Sequence, residues 1–181
     1  MEVASSAQPT LARAATSPTV EEVATPNVKT IDELKDFLNV GEEVLAKSLV
    51  YFKEKTPVLI LLVGNDQLNE SKLEAALGGG LRPSHPDELK SLTGADGGSI
   101  GPIGLDEFMI IADKRLEGAN NLISGANKND THLRHIDLQR DVKVEGYYDL
   151  RTVQAAEPCK VCGKPLRIVN AIELGHIFKL G

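Results

Sequence analysis

The sequence predicts an α/β (α+β) fold: a single domain in which a mixed, mostly antiparallel β-sheet is flanked by short helices. Three β-rich apolar runs, at 47–52, 58–64 and 108–113, are separated along the chain by segments with helical spacing of apolar residues. A chain of 181 residues is long enough to bury one core, and no repeat of fixed period divides it. Strands interleaved with short helices are typical of a mixed sheet.

The N-terminal part of the chain predicts an extended or flexible lead-in followed by a helix. Residues 1–25 are rich in Ala, Ser, Thr and Pro, and their apolar residues follow no consistent period. Thr30 and Glu33 then form a capping box, which starts a helix expected to run to about Leu38. The apolar face of this helix consists of Ile31, Leu34, Phe37 and Leu38. Residues 26–181 constitute the predicted functional domain.

A β-hairpin is predicted next, and it carries the first candidate functional residue. A short helix over 42–46 leads into the run 47–52, and a charged turn joins that run to 58–64. The second run is apolar at nearly every position, which predicts a central strand covered on both faces. Lys47 lies where the short helix gives way to the strand. A lysine there is either a solvated surface residue or a cation placed in a site.

Two more helices and a glycine-rich loop follow the hairpin. Asn69 is the predicted N-cap of a helix ending at Leu77, and Pro86 lies in the first turn of a helix that ends near Gly94. The segment 94–102 contains five glycines or prolines in nine residues, so its backbone can approach a ligand closely. Such a loop can present several N–H groups to a developing negative charge. It lacks the Gly-Lys-Ser/Thr ending of a phosphate-binding loop.

The second half of the chain supplies a buried strand and a turn that positions a histidine. The strand 108–113 ends in Asp113, which is either a cap of the following turn or a site residue. Gly125 and Asn127 tolerate positive φ, so the turn after them is expected to direct the His132 imidazole inward. We interpret this turn as one wall of a small hydrolytic pocket; the alternative is that His132 is a structural residue at the start of a strand. The residues after His132 alternate as in a strand.

The C-terminal part combines a predicted strand pair with a cysteine motif. Segments 166–169 and 172–180 are expected to close the sheet, and the end at Gly181 is expected of a fragment excised from a longer protein. Cys159 and Cys162 resemble half of a zinc knuckle. A structural zinc ion requires four ligands, and the nearest further candidate in sequence is His176. No metal site is predicted, and zinc at the two cysteines stays open as an alternative.

Composition excludes several functional classes. The formal net charge is -6, with 20 basic against 26 acidic residues, so the chain does not attract nucleic acid by its overall charge. Any RNA substrate must be held largely by something else. The longest apolar run, 58–63, is too short to span a bilayer. Two cysteines with two residues between them are no disulfide framework, which favours a reducing, cytosolic setting.

Several short motifs, taken in order, resemble the editing insertion domain of bacterial-type prolyl-tRNA synthetase. They are the segment 25–31, Lys47, Gly64 with 68–72, the loop 98–102, Gly125-Ala126-Asn127 with His132, Arg140-Asp141, and the segment 173–181. The last of these resembles the point where the insertion rejoins the class II catalytic core, whose own motifs are absent. The resemblance implies a YbaK-like deacylase fold and the hydrolysis of alanine mischarged onto tRNA(Pro) in the cytoplasm.

The resemblance also implies roles for individual residues. The implied catalytic residues are Lys47, which is the main functional residue, and His132, which shapes the alanine site. The implied substrate-binding residues are Ile31, Leu34, Gly98, Ser99, Gly101, Pro102, Asp113, Gly125 and Asn127. Editing is expected to need no cofactor, because ATP and Mg²⁺ serve the absent synthetase core. The implied partners are the acceptor end of alanine-charged tRNA(Pro) and the remainder of the synthetase, with neither DNA nor membrane.

Elementary selection chemistry agrees with an editing role. A proline site cannot strongly reject a smaller amino acid, since a missing methylene is worth only about 1 to 3 kcal/mol. The chain has neither a Gly-x-Ser-x-Gly elbow nor a Ser-His-Asp order, so attack by water is expected rather than a covalent nucleophile. Two alternatives remain open. One is a free-standing deacylase that acts in trans, and the other is a non-catalytic module that binds zinc or RNA.

Overall fold

The computed structural model describes residues 4–169, which divide into two compact units. Among the described residues, the main unit is Pro9–Thr152, and the small unit comprises Ala4–Gln8 together with residues 153–169. The helices of the main unit are α1 (Ile31–Leu38), α2 (Glu70–Leu77) and α3 (Pro86–Thr93). Its strands are β1 (Glu21–Ala24), β2 (Ala46–Lys53), β3 (Thr56–Val63), β4 (Leu81–Pro83), β5 (Met109–Asp113), β6 (Leu122–Gly125), β7 (Thr131–Ile136) and β8 (Gly146–Tyr148).

The helices begin where the sequence predicts. Thr30 Oγ1 accepts from the Glu33 N–H at 3.2 Å and Glu33 Oε2 accepts from the Thr30 N–H at 3.0 Å, which confirms the capping box before α1. The Asn69 side chain caps α2, and Pro86 is the first residue of α3. The short helix expected over 42–46 is a single 3-10 turn, Glu42–Val44.

Helix α1 packs on the core through a narrower face than predicted. Leu34 is only 3% exposed and lies in a cluster with Val28, Leu45 and Ile123. Phe37, by contrast, is 51% exposed. At 100° per residue, Phe37 lies about 60° from Leu34 and further still from the other apolar positions, at the margin of the stripe. The prediction of Phe37 as a core residue was therefore wrong.

The larger sheet has the strand order β4-β2-β3-β5-β8. Strands β2 and β3 form the predicted antiparallel hairpin, whereas β5 and β8 run parallel to their neighbours. Every residue of 58–63 is at most 3% exposed, because Leu59, Leu61 and Val63 enter one core cluster and the alternate residues enter another. The central strand predicted from this apolar run is confirmed.

A second sheet of three antiparallel strands has the order β1-β7-β6. Strand β1 lies within the segment 1–25, and its four residues pair with 131–134 of β7. Upstream of β1, Arg13 makes an ion pair with Asp137 at 2.6 Å. A single parallel bridge, Leu45↔Ile123, joins β6 to the chain just before β2. The predicted α/β class with mixed pairing is confirmed, and its strands are distributed over two sheets.

The small unit contains a tight turn around the two cysteines. The Gly163 N–H donates to the Cys159 carbonyl at 2.8 Å, and the Cys159 N–H donates to the Lys164 carbonyl at 2.8 Å. Gly163 has φ of 70°, which suits glycine. Segment 166–169, which was predicted as a strand, is not part of one, and 172–180 lies outside the described residues.

Candidate active site

The main unit contains a cavity of about 430 Å³ beside one edge of β2. Its other walls come from α1, the glycine-rich loop before β5, and the facing ends of β6 and β7. Most of the lining is apolar and includes Val28, Ile31, Leu34, Leu89, Ile100 and Ile123. The polar groups in the wall include Lys47, Ser48, Ser84, Ser124 and His132. An apolar hollow with a few convergent polar groups is the usual form of a small-molecule site.

Lys47 projects from β2 and lines this cavity. Its Nζ donates a hydrogen bond to the main-chain carbonyl of Asp66. Burial lowers the pKa of the Lys47 ammonium, and the negative charge of Asp66 opposes that change. The Asp66 carboxylate is itself paired with Arg115 at 2.6 Å. The Lys47 ammonium is therefore held in place by a carbonyl, and the nearby Asp66 carboxylate is shared with Arg115 and Arg151.

Lys47 also borders a second, more open depression. Side chains alternate along a strand, so Lys47, Leu49 and Tyr51 project on the same face of β2. That face leads to a predominantly polar surface that includes Gln67, Asn69, Ser71 and Thr152. The ammonium consequently lies between an apolar cavity and a polar depression.

His132 is buried in the opposite wall. It is 4% exposed and pairs with Gly125 of β6 in the smaller sheet. Its Nδ1 lies 2.6 Å from the hydroxyl of Thr25. Burial lowers the pKa of the imidazole, and a hydrogen bond with the backbone of Gly98 acts in the opposite direction. The neutral ring thus joins Thr25 to the glycine-rich loop and holds the cavity wall in place.

The glycine-rich loop presents only some of its N–H groups to the cavity. The Ser99 N–H donates to the Asp96 carbonyl at 3.0 Å, and the Gly101 N–H donates to the Asn127 side chain at 2.9 Å. Both groups are therefore used within the protein. Within the predicted loop 98–102, Gly98 and Ile100 line the cavity, and Gly97 just before it does so as well. The sequence predicted N–H donors from the whole loop, and the structure leaves Gly98 and Ile100 as the candidates.

Asn127 holds the loop in this conformation. Its Oδ1 accepts from the Gly101 N–H, and its Nδ2 donates to the carbonyls of Gly101 at 3.1 Å and Ile103 at 2.8 Å. Its own N–H donates to the Ser99 carbonyl at 2.8 Å. The φ of Asn127 is 55°, a left-handed conformation that asparagine tolerates well. Asn127 therefore stabilises the glycine-rich loop by hydrogen bonds and does not itself line the cavity.

Two glycines allow the loop to approach β6 closely. A Cβ atom on Gly101 would lie 1.8 Å from the Gly125 carbonyl oxygen, and one on Gly125 would lie 2.2 Å from Ser99 backbone atoms. Both contacts are far inside van der Waals distance. Glycine is thus required at both positions by the close approach of two backbones.

The structure brings together six of the residues predicted for the site. The cavity is lined by Ile31, Leu34, Lys47, Gly98, Gly125 and His132. Ser99, Gly101, Pro102 and Asn127 lie outside its lining and support the loop that forms one wall. Of the loop, Gly97, Gly98 and Ile100 line the hollow, whereas the N–H groups of Ser99 and Gly101 are bonded within the protein.

Asp113 lies away from the cavity. It is 2% exposed, and its two carboxylate oxygens accept from the Arg115 N–H at 2.9 Å and the Leu150 N–H at 2.8 Å. Burial raises the pKa of this carboxyl group, and the two backbone hydrogen bonds oppose that rise. These contacts are those of a residue that caps the following turn, which was one of the two roles considered for Asp113, the other being substrate binding.

Cys159 and Cys162 are close to each other in the small unit. The pKa of the Cys159 thiol is lowered mainly by backbone hydrogen bonds from Cys162 and Val161. Within residues 4–169, no group of three or more His, Cys, Asp or Glu side chains is placed to hold a metal ion. The pair supplies two of the four ligands that structural zinc needs, and His176 lies outside the described residues.

Sequence reasoning missed several residues of the site. Thr25 ended the predicted lead-in and began the motif 25–31 but was given no site role, although it is fully buried against His132. Ser124 was not singled out, yet its hydroxyl donates to the Ala46 carbonyl at 2.7 Å and lies 3.3 Å from the Ser48 hydroxyl. These partners are separated by 76 to 107 positions in the chain, so no local pattern marks them.

The two sheets and the apolar cavity with its lysine agree with what the sequence comparison shows, an aminoacyl-tRNA editing domain. The model of that family, described as the aminoacyl-tRNA editing domain, matches residues 25–140, and the chain belongs to it. Among its sequence relatives are proline--tRNA ligases. The ligase of Oleidesulfovibrio alaskensis is 43% identical over 163 residues, which are 90% of this chain and 28% of that protein. The ligase of Thermotoga maritima is 44% identical over the same share of both chains.

The chain therefore spans little more than a quarter of the length of these relatives. A solved structure of a candidate trans-editing enzyme for prolyl tRNA synthetase is also similar, with a TM-score of 0.63 and 25% identity. The match covers 74% of this chain and 87% of that one. The predicted relation to the editing part of prolyl-tRNA synthetases is confirmed. Among the residues described, no helix is both long and apolar enough to cross a lipid bilayer.

Proposed function

We propose that this chain hydrolyses the ester that joins alanine to the terminal ribose of tRNA(Pro), as the cis-editing part of a cytoplasmic proline--tRNA ligase. The observation that carries the proposal is the position of Lys47 between an apolar cavity and a polar depression. The alanyl ester likewise has an apolar part and a polar part, because a small apolar side chain lies on one side of the ester and a charged nucleotide on the other.

The apolar cavity is the proposed sieve for the amino acid. Ile31 and Leu34 contribute one wall from α1, and selection by size requires such a wall to be rigid. The capping box fixes the start of α1, and Asn39 in the left-handed conformation terminates it with hydrogen bonds to Lys35 and Asp36. Alanine is the substrate because a proline-activating site admits it, and proline is excluded by the shape of this second site.

Lys47 is the proposed anchor of the terminal nucleotide. Its ammonium is oriented by the Asp66 carbonyl and retains N–H groups for an oxygen of the ribose or phosphate. The polar depression beyond it receives the terminal nucleoside. Because the chain is acidic as a whole, the rest of the ligase supplies most of the attraction for tRNA.

The proposed reaction is direct attack by water. The water oxygen adds to the ester carbonyl carbon, the bond to the ribose oxygen breaks, and that oxygen leaves as a hydroxyl after taking a proton. The N–H groups of Gly98 and Ile100 face the oxyanion that forms. The neighbouring ribose hydroxyl transfers the proton. Thr25 is fully buried beside His132 and outside the cavity lining, so this hydroxyl–imidazole pair is not a nucleophile and base.

Similarity to a candidate trans-editing enzyme favours a second possibility, a deacylase that acts as a free-standing protein. The chemistry is the same in both cases. A cis-editing domain depends on its ligase for tRNA binding, so the isolated chain is expected to act weakly and to gain activity when joined to the ligase. A free-standing enzyme is fully active alone.

Deacylation of tRNA(Pro) carrying Ala, Pro, Cys or Ser tests the proposal. The expected result is loss of the alanyl ester and survival of the prolyl ester. Lys47→Ala is expected to slow the alanyl reaction on the order of 100-fold, because a positioned charge is removed. A matched control is Lys53→Ala, since Lys53 lies on the same face of β2, also donates to a main-chain carbonyl and lines neither hollow. An alanyl ester that survives, or a fully active Lys47→Ala variant, contradicts the proposal.

A further inference from the structure

Within residues 4–169, the edge of β2 that faces the cavity has one gap in its hydrogen bonding. Residues of an antiparallel strand alternate between those that bond to one neighbour and those that bond to the other. The Leu45 carbonyl accepts from Gly64 at the end of β3, whereas the carbonyls of Ala46 and Val50 accept from Ser124 and Ser84 on the opposite side. The even-numbered residues of β2 therefore direct their N–H and C=O groups away from β3.

Ser48 is the even-numbered residue at this edge that has no neighbouring strand. Before it, the edge is covered at Ala46 by β6. After it, Ser84 and then β4 cover the edge from Val50 onward. Among the described residues, no strand pairs with Ser48 on this side. Strand β4 ends at Pro83 and α3 begins at Pro86, so the gap cannot be filled by continuing the sheet.

The gap opens into the cavity. Ser48 lines it, and so do the residues on both sides of the gap, Ser84 and Ser124. The hydroxyl of Ser48 lies 3.3 Å from that of Ser124, so its side chain has a partner within the wall. What remains for a ligand is one main-chain donor and one main-chain acceptor, side by side.

We propose that this main-chain pair of Ser48 binds the α-amino ester itself, as a β-bridge one residue long. The inference rests on the proposed function and specifies how the substrate is oriented. In a hydrogen-bonded antiparallel pair, each residue donates its N–H to the carbonyl of the other. An aminoacyl ester carries the matching groups on one residue: its ammonium donates to the Ser48 carbonyl, and its ester carbonyl accepts from the Ser48 N–H.

Such a contact selects for an α-amino acid whatever its side chain. The Ser48 main chain recognises the ammonium and the carbonyl of the substrate, and the cavity walls recognise the side chain of its amino acid. The ester carbonyl is also brought to a fixed place opposite the N–H groups of Gly98 and Ile100. Ser48 is thus a positioning residue whose effect does not depend on its hydroxyl.

Two substitutions at one position separate the main chain from the side chain. Ser48→Pro deletes the N–H and keeps the carbonyl, and proline is tolerated where a strand edge is unpaired. Ser48→Ala deletes only the hydroxyl and is the matched control. On alanyl-tRNA(Pro), Ser48→Pro is expected to act on the order of 10- to 100-fold more slowly than Ser48→Ala, because both variants lack the hydroxyl and only the proline variant lacks the N–H. Equal rates for two folded variants would overturn the role of the N–H.

The role of the Ser48 carbonyl is tested on the unaltered protein with altered substrates. This test also decides whether Ser48 binds the substrate if the Ser48→Pro variant does not fold. tRNA(Pro) carrying alanyl, lactyl or propionyl esters presents an ammonium, a hydroxyl or no donor at the α-carbon. Each rate is divided by the spontaneous hydrolysis rate of the same ester. The acceleration is expected to fall in the order alanyl, lactyl, propionyl. The same acceleration for alanyl and propionyl esters would overturn the contact with the Ser48 carbonyl.

Failure of the proposed function is distinguishable from failure of this inference. If another aminoacyl ester is cleaved instead of the alanyl one, the same variants are compared on that ester. If no ester is cleaved, binding of 3′-deoxy-3′-(alanylamino)adenosine is measured, and Ser48→Pro is expected to weaken it about 10-fold relative to Ser48→Ala. Binding that is equal in both variants, or absent from the unaltered protein, contradicts the inference.

Discussion

Replacing Asn127 with alanine tests whether a residue outside the cavity controls its wall. The substitution removes three side-chain hydrogen bonds, of 2.9, 3.1 and 2.8 Å, to Gly101 and Ile103. Each is worth about 0.5 to 1.5 kcal/mol net. Alanine at φ of 55° adds about 1 kcal/mol of backbone strain. Since these contributions are not fully additive, we expect Asn127→Ala to lower the free energy of unfolding by about 2 to 4 kcal/mol.

Urea denaturation monitored by circular dichroism measures this loss. Asn127→Gly is the matched control, because glycine removes the same hydrogen bonds without strain at positive φ. The difference between the alanine and glycine variants should be about 1 kcal/mol, which isolates the backbone contribution from the hydrogen bonds. If Asn127→Ala and the unaltered protein unfold at the same urea concentration, the side chain does not fasten the loop.

The same variants connect the loop to the reaction. Below the urea transition, where both are folded, deacylation of alanyl-tRNA(Pro) should be at least about 10-fold slower, because the N–H groups of Gly98 and Ile100 are no longer held toward the ester. A variant that is less stable yet fully active would refute the role of these N–H groups and leave the structural role of Asn127 intact.

Two further predictions follow from contacts in the cavity wall. Gly125→Ala should lower the urea midpoint of unfolding strongly, because its Cβ would lie 2.2 Å from Ser99 backbone atoms. The control is Gly79→Ala, whose Cβ would have nothing within 4 Å and should leave the midpoint unchanged. Equal midpoints for the two variants would argue against close backbone contact at Gly125. His132 has a pKa lowered by burial, so as pH falls below about 6.5 the unfolded chain takes up a proton first and stability is lost. From pH 7.5 to 5.5, the unaltered protein should lose up to about 1.4 kcal/mol more than His132→Gln; parallel losses would show that the imidazole titrates normally.

Much of the local structure could be predicted because its determinants are close together in the chain. The capping box at Thr30 and Glu33 needs only four residues, and the glycine after α3 terminates it within one turn. The apolar run of β3 is long enough to indicate burial on both faces. Strand β1 could not be predicted in this way, because its sequence Glu-Glu-Val-Ala is unremarkable and its stability comes from pairing with β7 more than 100 positions away.

The candidate site was predicted in part, through the resemblance to a family rather than through local pattern. The motifs identified Lys47, His132 and the glycine-rich loop, and the structure places all three around one cavity. The same motifs did not distinguish the loop residues that face the cavity from those that support it. That distinction depends on which N–H groups Asp96 and Asn127 have already bound, and such competition is visible only in three dimensions.

The sequence by itself determined where helices start and stop, which strand is central, and which residue types are available for chemistry. The tertiary structure alone decided that Thr25 would be buried against His132 and that β6 and β4 would leave Ser48 uncovered between them. The physical reason is the range of the interactions. Caps, turns and alternation act over a few residues, whereas a cavity is the space left between elements that meet only after the chain has folded.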